Sequence, residues 1–192
     1  SNIVSMGQGE PFHNYDAVLD ALSFINSKDG LQIGARHITI STCGIIPGIK
    51  KLAEEPFQFT LAISLHSAIQ TTRDTLMPRC ENMPLSTLKE SLLSYITKTN
   101  RRVTFEYLMI NGINDDQDHL NALVSFCDGL LCHINLIPLN VIEGSKFQPS
   151  PKSTLNHWVS TLQNSGKECT IRNSRGSDID GACGQLKNKL RK

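Results

Sequence analysis

The segment Arg175-Gly176-Ser177-Asp178-Ile179-Asp180-Gly181-Ala182-Cys183-Gly184-Gln185-Leu186 sets one cysteine among glycines and small residues. Thiolate is the strongest nucleophile among ordinary side chains. Glycines at 176, 181 and 184 allow sharp backbone turns, so a sulfur here could come close to a bound ligand. Cys183 is therefore the candidate nucleophile. A second polar set follows the strand-like runs in turn: Gly7-Gln8-Gly9-Glu10-Pro11, Ser41-Thr42-Cys43-Gly44, Ser64-Leu65-His66-Ser67, Asn111 to Asp116, Pro138-Leu139-Asn140, and Arg172. Gly9 permits close backbone approach, and Glu10 offers a carboxylate to an ammonium group. Ser41, Ser64, His66 and Asn140 bring hydroxyl, imidazole and amide groups suited to ribose hydroxyls, a carboxylate and the edge of a heterocycle. That inventory suits a nucleoside carrying an amino acid. Each piece alone is weak, since a Gly-Glu-Pro is commonly a turn and a Ser-x-His a satisfied core pair.

These pieces must be placed by regular elements. Strand-like runs cover 3–6, 37–42, 59–65, 103–110, 132–137 and 168–172; they are rich in β-branched and aromatic residues and bounded by Gly, Pro, Asn or Asp. Helical periods lie between them. Residues 15–28 put Val18, Leu19, Leu22 and Ile25 on one face, and Pro47 opens a short helix to Glu55. Residues 87–98 start with a Thr87–Glu90 capping box, 116–128 carry Leu120, Leu123, Val124 and Cys127, and 154–164 are capped by Ser153 and closed by Gly166. Six strands alternating with five helices predict an α/β fold with a parallel sheet, either a doubly wound sheet or an open partial barrel. In both, ligands bind at the carboxyl ends of strands, where the polar set falls.

The 192 residues fit one domain, and 39% apolar with 19% charged residues is a globular composition. A net charge of +1 gives no global basic field; Lys187, Lys189, Arg191 and Lys192 form a local one. Cysteines at 43, 80, 127, 132, 169 and 183 make no C-x-x-C and no zinc pattern, so no metal ligands are assigned, and scattered thiols point to a reducing, cytoplasmic setting. Cys127, Cys132 and Cys169 read as core; Cys80 reads as a loop residue. No stretch is long and apolar enough to span a membrane. Neither a dinucleotide-binding Gly-x-Gly-x-x-Gly opening a helix nor a Walker loop is present.

At Met6-Gly7-Gln8-Gly9-Glu10-Pro11, Arg36 to Thr42, Ala62-Ile63-Ser64-Leu65-His66, Phe105-Glu106-Tyr107, Ile134 to Pro138 with Asn140, and Asp178-Ile179 with Ala182 to Leu186, the chain resembles the RlmN/Cfr family of radical SAM enzymes that methylate adenosine in RNA. The resemblance covers essentially the whole chain, and the Cys183 block is its most specific part. It implies a partial, open TIM-type β/α barrel over 1–172, lacking its first strand and cluster loop, with 173–192 as a loop carrying the cysteine and a basic tail. It implies S-adenosylmethionine contacts at Gly9, Glu10, Ser41, Ser64, Leu65, His66 and Asn140. It implies that Cys183 becomes S-methylcysteine and that a 4Fe–4S cluster serves the intact protein. The implied partners are 23S rRNA, tRNA and an electron donor such as flavodoxin. Asn100-Arg101-Arg102 leans towards RlmN and carbon 2 of adenine rather than Cfr and carbon 8.

The sequence departs from the family's pattern in one decisive way. The cluster-binding C-x-x-x-C-x-x-C run expected upstream of Gly9-Glu10 does not occur, and three thiolates are what such a cluster needs. The chain thus reads as the carboxyl-terminal part of an RlmN-like enzyme, inactive by itself. Two smaller departures are Gly181 where alanine is usual and Cys43 where serine is usual. The loss of a first strand leaves residues 2–6 as an uncovered sheet edge, so a dimer through that edge is expected. A non-catalytic RNA-binding module, supported by the basic tail, is the reading from another class.

Overall fold

The computed structural model describes residues 2–7, 9–80, 83–140 and 145–172. Cys183 lies outside them, as does the whole segment 173–192. Six strands form one sheet: β1 (Ile3–Ser5), β2 (Ile38–Thr42), β3 (Thr60–Ser64), β4 (Val103–Met109), β5 (Cys132–Pro138) and β6 (Glu168–Ile171). Every neighbouring pair is parallel, and the spatial order is the chain order, β1-β2-β3-β4-β5-β6. A doubly wound sheet reverses its strand order at a switch point. Here there is none, so right-handed crossovers put all connecting helices on one face. The architecture is an open, partial β/α barrel.

The helices are α1 (Tyr15–Asn26), α2 (Ile46–Leu52), α3 (Gln70–Leu76), α4 (Leu85–Thr99), α5 (Gln117–Phe126) and α6 (Lys152–Asn164). Alternation along the strands decides which face they cover. Ile38, Ile40, Leu61, Ile63, Phe105, Tyr107, Ile134 and Leu136 are all nearly or wholly buried and join the helical residues Leu22, Ile49, Leu88, Leu92, Leu123, Trp158 and Leu162 in one core. Most intervening positions are polar, namely Thr39, Ser41, Thr60, Ser64, Thr104, Glu106, His133, Asn135 and Thr170, with Ala62, Leu108 and Ile137 as apolar exceptions. Period two thus separates an apolar outer face from a polar inner one. Tyr107 packs on Trp158 with ring centroids 5.3 Å apart, tying β4 to α6.

Local signals differ from expectation at three helices. The Thr87–Glu90 capping box is not formed: α4 starts earlier, behind Pro84, with no cap from its own side chains. Its first free donor, Leu85 N–H, is instead taken by Gln70 Oε1 at 2.7 Å, a tertiary cap invisible to local pattern. Ser153 likewise falls inside the first turn of α6, which follows Pro151. Helix α3 has no apolar period to announce it; its Arg73 is its buried residue. Cys80 is not a loop residue without context but lies buried in a 3-10 turn over Pro78–Cys80. Cys127, Cys132 and Cys169 are buried as expected.

Among the described residues β1 pairs with β2 alone and is an edge strand, with Val4 and Met6 exposed. Among the described residues no helix is long and apolar enough to cross a membrane.

Gly48 of α2 lies against Phe12, and a Cβ added there would stand 2.4 Å from the Phe12 ring. Phe12 follows Glu10 by two residues, so this contact seats the first rim loop. Gly48→Ala is expected to destabilise the fold by about 1–3 kcal/mol through overpacking, read as a lower midpoint in urea; an unchanged midpoint would show that Phe12 is free to move aside.

Candidate functional site

A cleft of about 820 Å³ opens at the carboxyl ends of the strands, within the size range of small-molecule sites. Gly9, Glu10, Ser41, Ser64 and His66 line it, so five of the residues singled out in sequence converge from three strand ends. Leu65 does not line it. Its side chain is wholly buried in the apolar core, and its N–H donates to the Glu106 carbonyl at 3.0 Å. Only its main chain is left to face a ligand. Asn140, two residues beyond the end of β5, is also outside the lining.

Glu10 is bound at both oxygens. Oε1 accepts from Phe12 N–H at 3.0 Å, capping the 3-10 turn Pro11–Asn14, and Oε2 accepts from Cys43 N–H at 2.8 Å. One carboxylate therefore clasps the loop after β1 to the loop after β2. Each oxygen keeps a second lone pair for an ammonium or amide donor in the cleft. The β2 loop is further shaped by Thr42, whose Oγ1 accepts from Gly44 N–H at 3.1 Å and Ile45 N–H at 3.4 Å.

At the end of β3, His66 adopts a left-handed conformation, φ +56°, unusual for a residue with a Cβ. The turn is locked from β4. Leu65 and His66 N–H both reach the Glu106 carbonyl, and His66 Nδ1 accepts from Leu108 N–H at 3.1 Å. An accepting Nδ1 leaves Nε2 carrying the proton, a neutral donor on the cleft wall. Burial, and then the nearby Arg73 cation, push the His66 pKa down from 6.5 to about 4. Wholly buried Asn114 completes the lock. Its Nδ2 donates to the carbonyls of His66 and Leu108, both at 2.7 Å, and its Oδ1 accepts from Ile110 N–H at 2.8 Å. Its own carbonyl accepts from the Tyr107 hydroxyl at 2.8 Å.

Glu106, Arg172 and Cys43, present in the strand-end set or the family motifs but not among the expected ligand contacts, also line the cleft. Glu106 is buried in the floor, with Oε2 accepting from Asn135 Nδ2 at 3.0 Å. Desolvation pushes its carboxyl up, against opposing pulls from Asn135 and Arg172. A lone acid in the apolar strand Val103–Met109 was the available signal. The Cys43 thiol is pushed well up by burial and by Glu10 and Cys80, so it stays protonated near neutral pH.

The donor set fits a nucleoside carrying an amino acid: the lining brings together the carboxylates of Glu10 and Glu106, the hydroxyls of Ser41 and Ser64, the neutral His66 imidazole, the Arg172 guanidinium and apolar surface from Leu108, Ile137 and Met77. It does not fit an iron–sulfur cluster. Among the described residues no three His, Cys, Asp or Glu side chains gather so as to hold a metal.

Because native His66 resists protonation until about pH 4 while the unfolded chain takes its proton near pH 6.5, stability from this site is present above pH 6.5 and declines as pH falls towards 4. Titration of His66 by NMR should give a midpoint well below 6.5, and His66→Gln should flatten that part of the stability–pH curve. A midpoint at 6.5 would contradict the burial argument. Glu10→Gln replaces one acceptor oxygen by a donor facing a backbone N–H and should weaken binding of S-adenosylmethionine; unchanged affinity by calorimetry would remove Glu10 from the binding site.

No protein-family model matches the chain. It is 47% identical over 187 residues to the probable dual-specificity RNA methyltransferase RlmN of Clostridium novyi, covering 97% of this chain and 54% of that protein. It is also 47% identical over 192 residues to that of Caldanaerobacter subterraneus subsp. tengcongensis, covering 100% of this chain and 56% of the relative. The chain thus spans about half the length of the curated relatives it matches. Among solved structures, a radical SAM methyltransferase from Sphaerobacter thermophilus superposes with a TM-score of 0.91 at 43% identity, over 96% of this chain and 54% of that one. A domain of a pyruvate-formate lyase-activating enzyme from Bacteroides vulgatus superposes with a TM-score of 0.67 over 90% of this chain and 99% of that one; at 18% identity it supports the fold alone. With such identity over nearly the whole chain and such agreement in backbone, the chain belongs to the RlmN/Cfr family of radical SAM proteins.

Proposed function

We propose that the intact protein is a radical SAM methyltransferase that places a methyl group on carbon 2 of adenosine in 23S rRNA and tRNA, with Cys183 as the methyl-carrying residue. The observation that carries this reading is the convergence of Gly9, Glu10, Ser41, Ser64 and His66 on one cleft, in a chain 47% identical to proteins named RlmN. The dual-specificity RNA methyltransferase in those names supports the RNA substrates.

S-adenosylmethionine, when bound, supplies the methyl group and the radical chemistry. The chain's own residues bind and orient it. Glu10, held at both oxygens, presents fixed acceptors to the α-ammonium group. His66 Nε2–H is a donor without net charge, so it can bond a carboxylate or hydroxyl without itself gaining or losing a proton. Ser41 and Ser64 offer hydroxyls that both donate and accept. Leu108, Ile137 and Met77 give an apolar surface for a purine face. Among the described residues none would hold the cluster. The chain alone is therefore expected to bind S-adenosylmethionine weakly and to methylate nothing. A flavodoxin-type electron donor, and a dimer across edge strand β1, belong to the same reading.

The experiment uses the full-length parent with its cluster reconstituted anaerobically, S-adenosylmethionine, and an adenosine-containing RNA, with the modified nucleoside identified by mass spectrometry. 2-Methyladenosine is the expected product, and Cys183→Ala should abolish it in both rRNA and tRNA while leaving the fold intact. 8-Methyladenosine would move the reaction to the Cfr type. Cleavage of S-adenosylmethionine with no modified adenosine would make the substrate assignment wrong.

A further inference from the structure

Arg73 has a role that the substrate contacts do not account for. It is wholly buried, among the largest side chains that are. None of the described ion pairs involves it. Asp74, its neighbour, is bonded by Gln70 Nε2 at 2.7 Å. Among the described residues Nε and Nη1 of Arg73 have no hydrogen-bond partner, while Nη2 donates to the Cys43 carbonyl at 2.5 Å. A buried guanidinium without a carboxylate is costly, and an apolar side chain of similar volume would fill the space better. Packing alone therefore does not explain it.

The Cys43 carbonyl explains it. The other side of the same residue, Cys43 N–H, is the donor to Glu10 Oε2. The turn between is tight: Gly44 has φ +109°, and a Cβ there would lie 3.1 Å from Leu88 and 3.6 Å from Arg73 Nη2. Thr42 holds the turn from within, Glu10 from the β1 side and Arg73 from beneath. We propose that Arg73 is a positioning residue for the cleft: by anchoring the Cys43 carbonyl it fixes the orientation of the Cys43 N–H and, through it, the Glu10 carboxylate. This rests on the reading that the cleft binds S-adenosylmethionine. A second effect follows from place. Arg73 on α3 is the cation whose charge acts on His66, and Glu106, Glu10, Cys43 and Arg172 line the same cleft as His66. Arg73 thereby disfavours a second positive charge at His66.

The test compares the unaltered chain with Arg73→Met and Arg73→Lys. Three quantities are read: hydrogen exchange of the Cys43 amide, binding of S-adenosylmethionine by calorimetry, and the His66 titration by NMR, each beside the melting temperature. Arg73→Met should speed Cys43 exchange and weaken binding, each at least tenfold, and raise the His66 midpoint. Its melting temperature should be unchanged or higher, since a buried charge has been removed. Arg73→Lys keeps the charge near His66, so its His66 midpoint should stay low while Cys43 exchange still rises; it also serves if the Met variant fails to fold. Unchanged Cys43 exchange and an unmoved His66 midpoint in Arg73→Met would overturn the proposal, even if the melting temperature fell. If the unaltered chain takes up no S-adenosylmethionine, the reading of the cleft is what fails, and the exchange and titration results still decide whether Arg73 positions Glu10.

Discussion

Six parallel strands end at one rim, and at that rim the ladder that paired their backbones stops. The last N–H and C=O groups of each strand must then find other partners or be left buried and unpaired. In this protein side chains take over that pairing. Glu10 receives two N–H groups from two different loops. Thr42 receives two from its own turn, His66 receives one from β4, and Asn114 joins two carbonyls and one N–H. Those bonds fix the loops, and the fixed loops bound the cleft. The shape of the site is a consequence of satisfying strand ends.

The sequential strand order has a second consequence. With every crossover on one side, the helices bury only the outer face of the sheet. The inner face is free to be polar, and the strands alternate accordingly, with Ser64, Glu106, Asn135 and Thr170 standing in register across β3 to β6. A closed barrel fills its interior with apolar layers. Here the inner face holds a carboxylate, amides and hydroxyls next to the cleft, an environment in which polar groups can be held at fixed positions rather than solvated freely. Glu106 and Arg172 both line the cleft, and the Arg172 charge opposes the rise that burial gives the Glu106 carboxyl.

The fold was largely legible because its signals are short-range. Each of the six strands lies within one residue of its expected limits, since β-branched runs bounded by Gly, Pro or Asn carry that information locally. The site was legible where glycine or an isolated polar residue interrupts a strand end, as at Gly9-Glu10, Ser41 and Ser64-Leu65-His66. Local cues failed where a distant residue supplied the bond. The cap of α4 comes from Gln70 rather than from Thr87, and α3, whose buried position is an arginine, carries no apolar period at all. Leu65 sits in a motif that lines the cleft, yet its side chain belongs to the core, because alternation sends it to the helix-covered face.

The sequence by itself determined the class of fold, the order of its elements and the polar character of the strand ends, because periodicity and turn chemistry are properties of neighbouring residues. It also determined the kinship, through motifs whose residues are specific as strings. Only the tertiary structure decided what those motifs do to one another. That Glu10 clasps two loops, that His66 is held neutral with its donor nitrogen defined, and that buried Arg73 donates to the Cys43 carbonyl all depend on contacts between residues 30 or more positions apart. Such contacts leave no mark in any local window; they exist because parallel strands from across the chain end together at one rim.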